Sequence, residues 1–147
     1  MDNFDLVIVG AGSAGCIVAN NIINTTNYRV LLIEAGPSDN NPAIHVPLGY
    51  GMTFYHKTMN WNFYSKIQTK LNNREIYYPR GKVIGGSGSI NAMIYARGLK
   101  SDYENWNVNS KWSWENIKST FNELEYAVNE EHNQLPINKI PVNDVSS

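Results

Sequence analysis

Two short apolar runs near the start of the chain are separated by a segment with helical periodicity. The first run is Phe4 to Val9, and the second begins at Val30 and ends at Glu34. The first is typical of a parallel strand that is buried on both faces, and the second is a further apolar strand. Between them, residues 13–24 place their apolar side chains on one side of a helix, at Ala14, Val18, Ala19, Ile22 and Ile23. The pattern predicts a β-α-β unit of a Rossmann-like α/β fold.

A G-x-G-x-x-G sequence lies between the first predicted strand and the helix. Gly10 permits the tight turn, Gly12 lets the backbone approach a pyrophosphate, and Gly15 allows the helix to pack closely on the strand. The unpaired N–H groups of the first helical turn bind phosphate oxygens. Glu34 ends the second strand, where a carboxylate accepts hydrogen bonds from a ribose 2′-OH. This stretch predicts a dinucleotide site and fits FAD and NAD equally; the alternative is a β-α-β unit with coincidental glycines.

The middle of the chain predicts turns, an irregular aromatic segment and a hairpin. Gly36 to Pro42 is rich in turn-forming residues, and residues 43–61 show no regular period. Alternation in residues 62–68, a turn around Asn72 and Asn73, and a second extended run in residues 75–78 indicate a β-hairpin.

A second glycine-rich stretch runs from Pro79 to Gly98. Its glycines and serines favour a loop whose backbone N–H groups meet a ligand, and Arg80 and Lys82 add positive charge. Ser89 is a reasonable N-cap for a helix that starts at Ile90. The alternative is a flexible linker, but the apolar residues on both sides favour a packed loop.

The last helical pattern begins after Ser113, a good N-cap. Its apolar face is formed by Trp114, Ile117, Phe121, Leu124 and Val128. Beyond Asn129 the pattern dissolves into a polar tail that we expect to be poorly ordered. The predicted organisation is one domain portion over residues 1–128 and a tail over residues 129–147.

Composition narrows the classes of function. The chain has 147 residues and a net charge of −1, which gives no electrostatic support for nucleic-acid binding. No apolar run is long enough to span a bilayer, and no signal peptide precedes the first strand, so we expect a cytoplasmic protein. The single cysteine, Cys16, excludes an internal disulfide. His45 and His56 have no partner acids or cysteines nearby in the sequence, so no metal site is predicted.

The combined motifs resemble the N-terminal part of the glucose–methanol–choline (GMC) oxidoreductases, with most similarity to the choline and alcohol dehydrogenase branch. The resemblance covers about residues 4–126. The segments that carry it are Asp5–Cys16, Leu32–Pro37, Ile44–Tyr50, Asn60–Trp61, Pro79–Asn91, Tyr95–Gly98, Asp102–Trp106 and Trp112–Glu115. The stretch Pro79–Asn91 is the most specific of them.

This resemblance implies FAD rather than NAD as the cofactor. Some family members carry a histidine in the second loop that is bonded to the flavin; this chain has Ile90 and Asn91 there, so we expect non-covalent FAD. The candidate cofactor-binding residues are Gly10, Gly12, Ser13, Ala14, Gly15, Glu34, Ala35, Arg80, Gly85, Gly86, Ser87, Asn91, Ala92, Met93 and Ile94.

The reaction implied by the resemblance is oxidation of a small alcohol to a carbonyl compound. A base takes the hydroxyl proton while a hydride passes from the substrate carbon to flavin N5. Nothing in this sequence matches the family's C-terminal catalytic histidine, so we name no catalytic residue, expect an incomplete family fold and expect the chain not to be active alone. A non-catalytic truncated remnant is the alternative, and an NAD-dependent dehydrogenase is less favoured. The electron acceptor is left open.

Overall fold

The computed structural model describes residues 3–106, 109–127 and 135–137. The chain divides into two compact units, Met1–Ile94 and Tyr95–Ser147. This division lies inside the region 1–128 that the sequence treats as one portion. The expected poor order of residues 129–147 concerns residues outside the described part of the chain, apart from Leu135–Ile137.

The first unit begins with the predicted β-α-β arrangement. Strand β1 (Leu6–Val9), helix α1 (Ser13–Thr25) and strand β2 (Val30–Ile33) follow one another, and the strands pair in parallel from Leu6↔Val30 to Val9↔Ile33. Gly12 before helix α1 and Thr26 after it both have extended backbone conformations, which set the two ends of the helix. The predicted α/β unit is confirmed.

The expectation that the first strand is buried on both faces is wrong. Strand β1 alternates between half-buried and exposed positions, and Val9 is 82% exposed. Helix α1 packs on the face that carries Ile8, where Gly15 lies against the Ile8 side chain. The opposite face, with Val7 and Val9, has no such layer among the described residues, so the apolar pattern overestimates its burial.

Short helices replace the irregular segment predicted after β2. Helix α2 (Pro42–His45) starts with proline at its first position, and the Asn41 side chain caps it by accepting the Ala43 N–H at 2.9 Å. A 3₁₀ turn (Pro47–Gly49) leads into helix α3 (Tyr50–Thr53). The pair Asn41-Pro42 therefore starts a short helix in a segment whose sequence shows no regular period.

The predicted hairpin is present. Strand β3 (Phe63–Tyr64) pairs in antiparallel fashion with strand β4 (Tyr77–Tyr78), and a 3₁₀ turn (Thr69–Leu71) lies in the connection. Asn72 and Asn73 both have φ of 56°, the left-handed conformation that asparagine tolerates in turns.

The second glycine-rich stretch differs from its prediction. It forms a 3₁₀ helix over Gly86–Ile90, and no helix starts at Ile90. Positive φ at Gly85 and Gly86 sets this turn, and the Ser89 hydroxyl donates to Ile84 O at 2.8 Å instead of capping a following helix. The predicted N-cap role of Ser89 is therefore wrong. The loop is packed, because Val83 and Ile90 at its two ends join Met59 in the buried core.

The second unit contains helix α4 (Lys100–Glu104), a 3₁₀ turn (Ser110–Trp112), helix α5 (Trp114–Leu124) and the parallel strands β5 (Glu125–Ala127) and β6 (Leu135–Ile137). Ser113 occupies the N-cap position of α5 as predicted, but its side chain makes no capping hydrogen bond. The predicted last apolar position, Val128, lies outside the described residues. In the part of the chain that the structure describes, no helix has the length and apolar character needed to cross a membrane.

Candidate functional site

The two glycine-rich loops meet in the first unit. The Gly85 N–H donates to Ala11 O at 2.7 Å, and Gly12 and Gly85 form an isolated parallel bridge. A Cβ on Gly86 would lie 2.8 Å from the Gly12 Cα, closer than real side chains approach. The backbones therefore touch directly, and two motifs far apart in sequence form one surface.

The three glycines of the first motif have different physical roles. Gly10 has φ of +99°, which other residues rarely adopt. A Cβ on Gly15 would lie 2.0 Å from Gly10 O, so this glycine permits close packing of α1 against the turn. A Cβ on Gly12 would meet only the Gly86 Cα at 3.9 Å, an ordinary contact distance. Gly12 thus leaves open space that the fold itself does not fill.

The N-terminus of α1 supplies hydrogen-bond donors beside that space. Its first backbone bond runs from Cys16 N–H to Gly12 O at 3.0 Å. The N–H groups of Ser13, Ala14 and Gly15 precede this bond and so have no helical acceptor. They carry the positive end of the helix dipole, which suits an anion.

Glu34 is fixed by backbone donors on both sides. Its Oε2 accepts the Ala11 N–H at 2.8 Å, and its Oε1 accepts the Gly36 N–H at 2.9 Å. Each carboxylate oxygen retains a further lone pair, so these bonds leave capacity for a ligand hydroxyl. The sequence indicates the ligand role of Glu34 but not this attachment to the first loop.

A cleft of about 470 Å³ lies over the meeting point of the loops. The predicted residues that line it are Gly10, Gly12, Glu34, Ala35, Arg80, Gly86 and Ser87. Its other lining residues are Val9, Ile33, Trp61, Phe63 and Gly81. Its size is within the range of about 300–1,000 Å³ that is usual for small-molecule sites.

The remaining predicted residues lie elsewhere. Ser13, Ala14 and Gly15 form the first turn of α1, and Gly85 makes the contact between the loops. Asn91 and Met93 line a smaller cavity of about 130 Å³, together with residues of α2 and the following turn. Ala92 and Ile94 line neither of these two cavities. Met93 has φ of 58°, and its N–H donates to Asn91 Oδ1 at 2.7 Å.

An aromatic wall formed by Trp61 and Phe63 was not predicted as part of the site. The two rings are stacked, with centroids 5.7 Å apart and planes 6° apart, and the Lys82 ammonium lies 4.6 Å from the Trp61 ring centroid. The sequence signal for this wall is the pair of aromatic residues at alternate positions, Trp61 and Phe63. On its own, that alternation indicates only a strand.

Asn60 holds this wall and Arg80 in position. It is 2% exposed, and its Oδ1 accepts the N–H groups of Asn62 at 2.9 Å and Arg80 at 3.0 Å. Its Nδ2 donates to the carbonyls of Thr53 and Phe54 at 3.3 and 2.7 Å. All four bonds satisfy a buried amide and fix the backbone on either side of the cleft wall.

Comparison with known proteins identifies the family. The sequence profile described as GMC oxidoreductase matches residues 4–146. The chain belongs to the GMC oxidoreductase family.

Among the described residues, no group of three His, Cys, Asp or Glu side chains could hold a metal ion.

The chain is similar in sequence to proteins named alcohol dehydrogenase and choline dehydrogenase. The Pseudomonas putida protein named alcohol dehydrogenase [acceptor] is 46% identical over 125 residues, which are 84% of this chain and 23% of that protein. Human mitochondrial choline dehydrogenase is 40% identical over 121 residues, 78% of this chain and 20% of the human protein.

Solved structures of similar fold include two oxidoreductases. Pyridoxine 4-oxidase from Mesorbium loti matches with a TM-score of 0.78 and 34% identity, over 84% of this chain and 25% of that one. An FAD-dependent oxidoreductase from Chaetomium thermophilum matches with a TM-score of 0.68 and 32% identity, over 84% of this chain and 21% of that one. The chain thus spans about a fifth to a quarter of the length of the proteins it matches.

Proposed function

We propose that this chain binds FAD in the cleft over the two glycine loops. It would supply the FAD-binding part of an oxidoreductase that acts on the CH–OH group of a small alcohol. The observation that carries the proposal is the 2.7 Å bond from Gly85 N–H to Ala11 O, because it joins both loops beside Glu34. The names of the relatives support the alcohol class of substrate, and the name of the Chaetomium protein supports FAD.

The residues present fit the diphosphate and the adenosine end of such a cofactor. The open space beside Gly12 and the free N–H groups of the first turn of α1 suit the pyrophosphate, with Arg80 as a nearby cation. Glu34 retains acceptor capacity for the ribose hydroxyls. The second loop, from Gly85 to Ser87 and on through residues 91–94, would run beside the flavin. When bound, FAD supplies a hydride acceptor for the substrate carbon.

The proposed binding is non-covalent. Ile90 is buried in the core, and neither its alkyl side chain nor the amide of Asn91 is a nucleophile that could bond to a flavin. Flavin should therefore leave the protein completely on acid precipitation. Flavin that stays in the washed pellet would contradict this part of the proposal.

We place no catalytic base in this chain and propose that it does not turn over an alcohol by itself. Since the chain spans a fifth to a quarter of its relatives, alcohol oxidation by the whole protein remains part of the proposal.

A thermal-shift titration of the purified chain with FAD tests cofactor binding. A ligand that binds only the folded state stabilises it by about 2.7 kcal/mol at a concentration of 100 Kd, so the midpoint should rise with FAD concentration. NADH serves as the comparison ligand. A larger shift with NADH would favour an NAD-dependent dehydrogenase, and no shift with either would favour the non-catalytic remnant.

A further inference from the structure

Glu34 lies at the start of two short hydrogen-bonded routes to the second glycine loop. In the first route, Oε2 accepts the Ala11 N–H at 2.8 Å, and Ala11 O accepts the Gly85 N–H at 2.7 Å. In the second route, Oε1 accepts the Gly36 N–H at 2.9 Å, and the carbonyl of the next residue, Pro37, accepts the Ile84 N–H at 3.0 Å. One carboxylate thus fixes both backbone segments that support residues 84 and 85.

The surrounding backbone is too closely packed for these segments to move separately. A Cβ on Gly36 would lie 2.0 Å from Lys82 O, and a Cβ on Gly86 would lie 2.8 Å from the Gly12 Cα. Ala11 is buried at the junction. Because backbone meets backbone without an intervening side chain, a shift of the first loop displaces the second.

We propose that Glu34 is a positioning residue that couples the two glycine loops, in addition to its expected contact with the ribose. This inference rests on the proposed dinucleotide site for its functional meaning. A nucleotide held at Glu34 would thereby hold the second loop in the arrangement that the rest of the cofactor needs. Binding of the adenosine end would then stabilise the second loop in the arrangement that it already has.

The chemistry of the carboxylate makes the role separable from simple ribose binding. A charged oxygen accepts a backbone N–H and a hydroxyl at once, and such bonds are stronger than neutral ones. Glutamine would turn an NH₂ group toward one of the two N–H donors and lose that bond. Aspartate keeps the charge but is shorter by one methylene, so it cannot reach Ala11 and Gly36 together. Both variants should therefore release the loops, although aspartate still offers a charged acceptor to ribose.

Residue-resolved amide exchange of the ligand-free chain tests the coupling. Glu34→Gln and Glu34→Asp should each speed the exchange of Ile84 and Gly85 by about fivefold, the factor expected for one hydrogen bond. Amides of the hairpin, such as Ser65 N–H bonded to Ile76 O at 2.8 Å, should keep their rates. Glu75→Gln, which removes an exposed acid from the hairpin, is the matched control and should leave Gly85 unchanged.

Unchanged exchange at Gly85 in both Glu34 variants would overturn the proposal. Faster exchange throughout the first unit would also overturn it, because Glu34 would then support the fold in general. ADP supplies a second readout: it should slow Gly85 exchange in the unaltered chain and leave it unaffected in the Glu34 variants. A chain that ignores ADP but shows the ligand-free effect would count against the proposed dinucleotide site while retaining the coupling.

Discussion

The substitution Gly12→Ala tests whether Gly12 is needed for ligand binding and not for folding. Gly12 has φ of −78° and ψ of −176°, which alanine adopts without strain. The new methyl group would lie 3.9 Å from the Gly86 Cα, an ordinary van der Waals contact. It would occupy the space beside the first turn of α1, where the proposed pyrophosphate approaches.

The expected effects on stability and on binding differ in size. Alanine is a poorer N-cap than glycine, but it also restricts the unfolded chain, so the free energy of unfolding should change by less than about 1 kcal/mol. Binding should weaken far more, because a displaced phosphate loses bonds from the helix N-terminus. Hydrogen bonds to charged groups contribute about 1.5–3 kcal/mol each. Loss of two such bonds gives about 3 kcal/mol or more, a weakening of FAD binding on the order of 100-fold.

Calorimetric titration with FAD, alongside urea unfolding of the ligand-free variant, measures both quantities. Gly51→Ala is the matched control, since a Cβ at Gly51 would have nothing within 4 Å and lies outside the cleft. It should preserve FAD affinity. An unchanged dissociation constant in a folded Gly12→Ala variant would refute the ligand role of Gly12. A variant that fails to fold would refute the assignment of open space there.

Three further substitutions probe the structure around and beyond the site. Gly15→Ala should destabilise the first unit by about 1–3 kcal/mol in urea unfolding, because its Cβ would lie 2.0 Å from Gly10 O. Asn60→Ala should cost about 2–4 kcal/mol in the same assay, since it leaves buried backbone groups without partners. In the second unit, Arg97→Ala removes the cation paired with the buried Glu125 carboxylate and should cost about 2 kcal/mol in unfolding followed by tryptophan fluorescence. Burial raises the pKa of Glu125, so the folded state binds the proton of this carboxyl more tightly than the unfolded state does. The stability lost in Arg97→Ala should therefore be smaller at a pH below that pKa, where Glu125 is neutral, and larger above it. A loss of stability that does not depend on pH would contradict this explanation.

The elements that the sequence predicts correctly are those specified by neighbouring residues. The β-α-β unit, the hairpin and the start of α5 after Ser113 each follow from a sequence pattern within a few positions. The N-cap role predicted for Ser89 is also based on neighbouring residues, but it is wrong. Gly85 and Gly86 take positive φ, and the Ser89 hydroxyl donates to Ile84 O instead.

The features that the sequence leaves out are contacts between distant segments. The G-x-G-x-x-G sequence and the second glycine-rich loop each indicate an anion site, but neither indicates that the Gly85 N–H bonds to Ala11 O. Likewise, Glu34 is expected at a ribose, and its bonds to the Ala11 and Gly36 N–H groups depend on where the first loop folds. Trp61 and Phe63 line the cleft on a backbone that Asn60 fixes through the N–H groups of Asn62 and Arg80, and the contact with Arg80 has no periodic signal in the sequence.

The position of the buried core argues that the second loop is formed before any ligand arrives. Val83 and Ile90, at the two ends of the loop, pack with Met59 in that core. A flexible linker would have its ends free, whereas here folding of the first unit fixes both ends and the 3₁₀ turn between them. A cofactor that contacts this loop would therefore bind without the entropic cost of ordering it, which can reach about 1–2 kcal/mol for each backbone residue. The affinity of the proposed FAD site would then depend chiefly on the donors of α1, Glu34 and the open space at Gly12.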